Sequence, residues 1–346
     1  MSFKLANLAQ LAQFDEVIDV RSPSEFADDH IPGAINCPVL DDQQRAEVGT
    51  LYCQQSPFEA RKVGAVMVAR NIAQHIEQRF YDHPKSWQPL IYCWRGGQRS
   101  AAMAIILSQI GWSTHQLKNG YKAYRHQVIN DLDLLPANIQ FQVLTGPTGS
   151  GKSRFLAALA RNGHQVLDLE QLAKHRGSVL GQLPMQAQPS QKGFESALRQ
   201  QLLSFSTQRP VYVEAESRTI GRLALPNALF SAMRNGHAIE LVVLQAERIR
   251  FLLEDYAHLT QQPTLLISLL ERLTGLYPQA LLEHWTLLTR QGQFNDLVQA
   301  LLERHYDPLY RRSSKKYFTR THQPQRLYLA QVSDSALDAA TKMLYE

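Results

Sequence analysis

The chain has 346 residues, of which 44% are hydrophobic and 19% charged, with a formal net charge of +5. That is long enough for two domains with cores of their own and has the composition of an ordinary soluble protein. Three cysteines, Cys37, Cys53 and Cys93, are too few and too odd for a disulfide framework, and no Cys/His ligand spacing marks a zinc site.

The N-terminus, Met1-Ser2-Phe3-Lys4, lacks the apolar centre of a signal peptide, and no apolar run approaches membrane-spanning length. A reducing, cytoplasmic setting without a membrane partner is therefore expected, and the positive charge leans toward an acidic partner. In residues 1–133, Glu16 to Arg21 reads as a short strand running into the polar turn Ser22 to Phe26. Pro32-Gly33 marks a turn before another short apolar segment. Apolar residues between positions 58 and 80, among them Val63, Val66, Met67, Ile72 and Ile76, fall at helical spacing. Pro89 to Tyr92 reads as a buried strand, and Ala101 to Leu107 as the apolar start of a helix that Gly111-Trp112 ends. His115 to Leu117 adds a strand before the turn Asn119-Gly120-Tyr121. Strands alternating with helices predict an α/β domain on a parallel sheet, whose ligands belong at the carboxyl ends of its strands.

Between strand and helix stands Cys93-Trp94-Arg95-Gly96-Gly97-Gln98-Arg99. Backbone N–H groups converge in such a loop and the helix dipole is positive there, so a thiolate at Cys93 is favoured. Arg95 and Arg99 add fixed positive charge, and an anion bound by Gly96, Gly97 and Gln98 would use the same donors. Cys37, in an apolar segment, reads as core. Cys53 has no basic neighbour and also reads as structural, with service as a resolving thiol for Cys93 as the alternative.

Residues 134–138 read as a linker, and 139–346 as a second α/β domain with a helical, basic C-terminal part. Its first strand, Phe141 to Thr145, runs into Gly146-Pro147-Thr148-Gly149-Ser150-Gly151-Lys152-Ser153 and then a helix. This is a phosphate-binding loop in its proper context. Backbone N–H groups from Gly146, Thr148, Gly149, Ser150 and Gly151 close on phosphate, Lys152 supplies charge and Ser153 can hold Mg²⁺. Supporting residues are expected at Asp168 and Glu170, at His175 and Arg176, and at Glu214, Glu216 and Arg218, where a second strand ends in acids. From Glu247 onward the apolar spacing is helical, and Phe251, Leu252, Leu265, Leu266, Leu269, Leu270 and Leu273 read as core. Arg311, Arg312, Lys315, Lys316 and Arg320, interleaved with Tyr317 and Phe318, suit a nucleic-acid backbone with bases free to stack.

Asp19 to Phe26, His30 to Asn36 and the Cys93 loop together resemble a rhodanese domain, in which the loop cysteine carries a sulfur or related chalcogen. The Cys93-to-Arg99 loop is one residue longer than the usual sulfurtransferase loop and resembles that of dual-specificity phosphatases. Phosphate, phosphorothioate and selenophosphate are all open as its anion. The wording of the second loop, Gly-Pro-Thr-x-Ser-Gly-Lys, resembles that of tRNA dimethylallyltransferases, which places a prenyl diphosphate beside ATP as a candidate. The order of the two domains, with Asp168-Leu169-Glu170, His175 to Ser178, Glu214 to Arg218 and His305 to Pro308, resembles the tRNA 2-selenouridine synthase family.

That resemblance implies a transferase acting on tRNA with a 2-thiouridine at the wobble position. The 2-thio group is first geranylated from geranyl diphosphate and then replaced by selenium from selenophosphate. Cys93 would be the selenium-handling thiol, as an S-selanylcysteine, and Gly146 to Ser153 would hold the diphosphate. A selenophosphate-supplying enzyme is the implied partner, Mg²⁺ a possible helper, and no tightly bound cofactor is expected. Two other readings stay open: a rhodanese-fold phosphatase or sulfurtransferase coupled to an NTPase, and a non-catalytic tRNA-binding regulator.

Overall fold

The computed structural model describes residues 3–175, 187–317 and 324–344, except for the side chains of 313–317. The chain is α/β and divides into two compact units. One comprises residues 1–131 with 190–196, the other 132–189 with 197–346.

The first unit is built on five parallel strands: β1 (Lys4–Ala6), β2 (Glu16–Asp19), β3 (Ile35–Asn36), β4 (Pro89–Tyr92) and β5 (His115–Leu117), in the order β1-β5-β4-β2-β3. β4 is central and all four of its residues are buried, which explains its unbroken apolar run. The helix Gln98–Ile110 follows it and presses Met103, Ala104 and Leu107 against Ile18, Val20, Ile91 and Phe80. Gly111 closes that helix in a left-handed conformation, at φ +114°. The strand β1 has only three residues, too few to show a periodicity, and was not foreseen from sequence.

The second unit carries five more parallel strands, β6 (Phe141–Thr145), β7 (Gln165–Leu167), β8 (Val211–Glu214), β11 (His237–Val243) and β12 (Gln325–Leu329), ordered β12-β11-β6-β8-β7. A two-stranded antiparallel hairpin, β9 (Thr219–Ile220) with β10 (Leu223–Ala224), lies outside that sheet. The region after Glu247 is helical as expected, except that β12 returns to the sheet edge beside β11. Its alternation, with Leu327 and Leu329 buried and the residues between exposed, is too short to outweigh the helical pattern around it.

Residues 134–138 are folded. The helix Gly120–Leu134 passes into a tight turn over Leu135–Asn138, in which Pro136 is buried. Proline is well suited to the first turn of a helix, where its missing N–H costs nothing. The helices Pro263–Glu271, Gln279–Arg290 and Phe294–Leu301 bury a leucine-rich core around Trp285.

Candidate functional site

In the first unit, Cys93 follows the central strand and sits at the start of the helix Gln98–Ile110, whose N-cap is Gly97. Its sulfur is buried and accepts hydrogen bonds from the Gly97 N–H at 3.2 Å and the Ser100 hydroxyl at 3.1 Å. Gln116 Nε2 donates to Ser100 Oγ at 2.7 Å and so orients that hydroxyl. Helix-terminal and hydroxyl donors aimed at sulfur suit a group that develops negative charge.

Below the loop lies Gly120, at φ +54°. A Cβ there would stand 2.2 Å from the Cys93 carbonyl oxygen, so no larger residue fits. The N–H groups of Tyr121 and Lys122 tie down the carbonyls of Cys93 and Trp94 at 2.8 and 2.9 Å.

The two loop arginines differ. Arg95 is exposed. Arg99 donates to both Glu25 oxygens, at 2.6 and 3.3 Å. Burial raises the Glu25 carboxyl, but Arg99 outweighs it and holds the group below its usual range. Beneath, Arg21 and Asp19 form a fully buried pair, and Arg21 also donates to the Asp29 carbonyl. Tyr121 and Ser196 both donate to Asp29 Oδ2, at 2.6 and 2.9 Å.

In the second unit, the loop from Gly146 to Gly151 joins β6 to the helix Lys152–Arg161. Lys152 Nζ donates to the Gly146 carbonyl at 3.1 Å, curling over the loop. Three carboxylates gather beside it: Glu170, Glu214 and Glu216 each place an oxygen within 4.8 Å of the others. Glu214 ends β8 fully buried, and its Oε1 has no hydrogen-bond partner. Burial, then repulsion from Glu214 and Glu216, pushes Glu170 up to about 9 against the pull of Lys152. Burial and Glu214 push Glu216 up to about 7, and burial raises Glu214 as well. Three crowded carboxylates with an orphaned oxygen fit a divalent cation, which is the common means of holding such charge together.

Lys152, Ser153 and the three glutamates form one end of a cavity of about 820 Å³. Its other walls are mainly apolar, with Phe251, Leu252, Leu266, Leu297, Val298 and Leu301, and carry polar atoms from Asp255, Thr260, His305 and Tyr310. Phe251, Leu252 and Leu266 had read as plain core. Helical periodicity marks a residue as inward-facing but does not distinguish a packed interior from a cavity wall.

The comparisons cover both units. Residues 4–127 match the model of the rhodanese-like domain, and residues 139–268 that of the tRNA 2-selenouridine synthase AAA domain. A tRNA 2-selenouridine synthase of Nitrosomonas europaea is 40% identical over 247 residues, 69% of this chain and 63% of that one. The match therefore spans less than two thirds of that relative. The synthase of Shewanella denitrificans is 34% identical over 326 residues, covering 85% of this chain and 87% of its own. The chain belongs to the tRNA 2-selenouridine synthase family. Among solved structures, the rhodanese-related protein of Thermoplasma volcanium is 19% identical, covers 36% of this chain and 93% of its own, and has a TM-score of 0.24.

Not every residue expected at this site joins the cluster beside the phosphate loop. Asp168 caps the helix Leu169–Ala173, accepting from the Gln171 N–H at 2.8 Å, and is not among the three clustered carboxylates. A short acidic side chain just after a strand is as good a helix cap as a metal ligand, so the sequence alone does not separate the two. Arg218 is exposed and donates to Asn227 Oδ1 rather than into the cavity. His175 is half-buried, its pKa lowered by burial, and is not among the cavity's walls. Arg176, Arg320 and the side chains of Lys315 and Lys316 lie outside the described residues, whereas Arg311 and Arg312 are exposed. Arg248 was missed. It donates to the Thr148 carbonyl inside the phosphate loop at 2.8 Å and pairs with Asp307. Nothing in its local sequence, Glu247-Arg248-Ile249-Arg250, separates it from a solvated helix face.

Proposed function

We propose that the chain is a transferase that converts wobble 2-thiouridine of tRNA to 2-selenouridine through an S-geranyl intermediate. Geranyl diphosphate and selenophosphate are its co-substrates, and the cytoplasm, where tRNA is found, is its place of work. The observation that carries this reading is the cavity in the second unit, polar at the phosphate loop and mainly apolar beyond it. A ligand with a diphosphate head and an apolar tail matches both ends, whereas a ribose and base would leave polar groups against leucine. Ten buried carbons are worth roughly 8 kcal/mol of gross transfer free energy at about 0.8 kcal/mol each.

In the first step the uridine sulfur attacks C1 of the geranyl group. The C1–O bond breaks, diphosphate leaves, and the N3 proton passes to solvent. Lys152 and the loop N–H groups bind the diphosphate and stabilise the charge that develops as it departs. A magnesium ion, for which Ser153, Glu170, Glu214 and Glu216 are the suited ligands, would neutralise part of that charge.

The alkylated sulfur is then a far better leaving group than the thione. Over the second step, selenium enters C2 at the level of selenide, the C2–S bond breaks and geranylthiol departs. Water takes the phosphoryl group of selenophosphate as phosphate. Cys93 handles the selenium, its sulfur held by Gly97 and Ser100.

The test is mass spectrometry of nucleosides from 2-thiouridine tRNA incubated with the protein, geranyl diphosphate and selenophosphate. Geranylthiouridine followed by selenouridine supports the reading. Unchanged 2-thiouridine in tRNA that binds refutes it in favour of a regulator, and phosphate release without tRNA favours a phosphatase.

A further inference from the structure

The chain has four tryptophans, all among the described residues. Trp87, Trp112 and Trp285 are buried. Trp94, next to the thiol, is only half-buried. Its ring rests on Tyr121, with centroids 5.2 Å apart and planes tilted by 34°. Tyr121 is itself fixed, with Arg21 over its face at 4.0 Å and Asp29 accepting its hydroxyl. Lys192 Nζ lies 5.8 Å from the Trp94 ring centroid and is steadied by Asp28 at 2.6 Å. The backbone beneath the ring is pinned too, by the Lys122 N–H on the Trp94 carbonyl.

Packing accounts for Tyr121, which is buried, but not for an indole left partly in water on a rigid mount. Arg95, Lys118 and Lys122 are exposed, and none has an ion-pair partner among the described residues. A half-exposed aromatic ring with exposed, unpaired cations in its own loop and in the Lys118–Lys122 turn packed against that loop is a pattern that holds single-stranded RNA, with the base stacked and flanking phosphates neutralised.

We infer that Trp94 is the stacking platform on which the wobble base is held beside Cys93, with Arg95, Lys118 and Lys122 on the neighbouring phosphates. This rests on the proposed action on tRNA and names the surface that presents the base to the thiol. The position suits the role, since Trp94 adjoins Cys93 and shares its anchored loop. An out-turned base stacked there has its C2 edge at the loop, while the sugar and phosphates remain on the basic rim.

The buried state of the other three tryptophans supplies the readout, because a base stacked on Trp94 quenches the most exposed of the four indoles. The full-length protein is titrated with a short anticodon stem-loop carrying 2-thiouridine at the wobble position, and total binding is followed separately by filter retention. Emission is expected to fall on binding, and a stem-loop abasic at the wobble position is expected to bind without that fall. Trp94→Leu is expected to weaken retention roughly 10-fold, as loss of one stacked base does, and Trp94→Phe to restore most of it. Arg95→Gln, Lys118→Gln and Lys122→Gln combined should flatten the salt dependence by about 0.7 per lost phosphate contact.

RNA retained with no change in emission, or quenching that persists with the abasic stem-loop, overturns the inference and leaves the action on tRNA standing. No retention of any stem-loop by the wild-type protein overturns both.

Discussion

Arg248 grips Asp307 through two nitrogens, at 2.6 and 3.1 Å, and reaches the Thr148 carbonyl in the phosphate loop with a third. This pair, largely removed from water, ties the helix that carries Asp307 to the loop that would bind the diphosphate. Asp307→Ala leaves the guanidinium without its counter-charge and should lower stability by about 3 kcal/mol. Chemical denaturation measures that loss. Binding of inorganic pyrophosphate should weaken with it, because the loop loses its brace.

Gly120 makes a second prediction. Gly120→Ala adds the left-handed strain of a Cβ, about 1 kcal/mol, and drives that carbon into the Cys93 carbonyl. The thiol loop must shift. Selenouridine formation should fall at least 10-fold while geranylthiouridine accumulates, since the second unit is untouched. Nucleoside mass spectrometry distinguishes this from a general loss of fold, which would abolish both products.

The glutamate cluster sets a pH dependence whose sign follows from its raised carboxyls. Glu216 near 7 and Glu170 near 9 keep protons that the unfolded chain, with carboxyls near 4.5, has released. The folded state therefore holds more protons between about pH 4.5 and 9, and stability falls as pH rises through that window. With a chelator present, Tm should decline from pH 5 to pH 9, and Glu170→Gln should flatten the decline. Added Mg²⁺ should raise Tm most at the alkaline end, where the carboxylates are ionised, and should not do so for Glu214→Gln.

The apolar walls of the cavity make a fourth prediction. Val298→Trp fills space beyond the phosphate loop without touching it. Geranyl diphosphate should bind at least 10-fold more weakly, while inorganic pyrophosphate binds as before. Calorimetric titration of each ligand gives both numbers. Equal weakening of the two would mean that the hydrocarbon end of the cavity takes no part.

Much of this was legible in the residues. The buried run of β4, the glycines after Cys93 and the loop from Gly146 to Ser153 each announce a local geometry that few other arrangements satisfy. What escaped was whatever depends on distant partners. Glu170 and Glu214 lie 44 positions apart, and only the parallel order β6-β8-β7 brings their ends together. Arg248 and Asp307 are separated by 59 residues, and neither has a local signature. Asp168 caps a helix beside the cluster, a role its local sequence does not separate from metal binding. The hydrocarbon cavity was hidden among leucines whose spacing is that of any buried helix.

In the proposed function two sites act in sequence on one uridine, the phosphate-loop cavity first and the Cys93 loop second. The most direct measurement is a timed nucleoside analysis of 2-thiouridine tRNA with both co-substrates, comparing Cys93→Ala with Lys152→Ala. Cys93→Ala should stop at geranylthiouridine, and Lys152→Ala should leave 2-thiouridine unchanged. Selenouridine from Cys93→Ala at the wild-type rate, or geranylthiouridine from Lys152→Ala at the wild-type rate, would contradict that proposal.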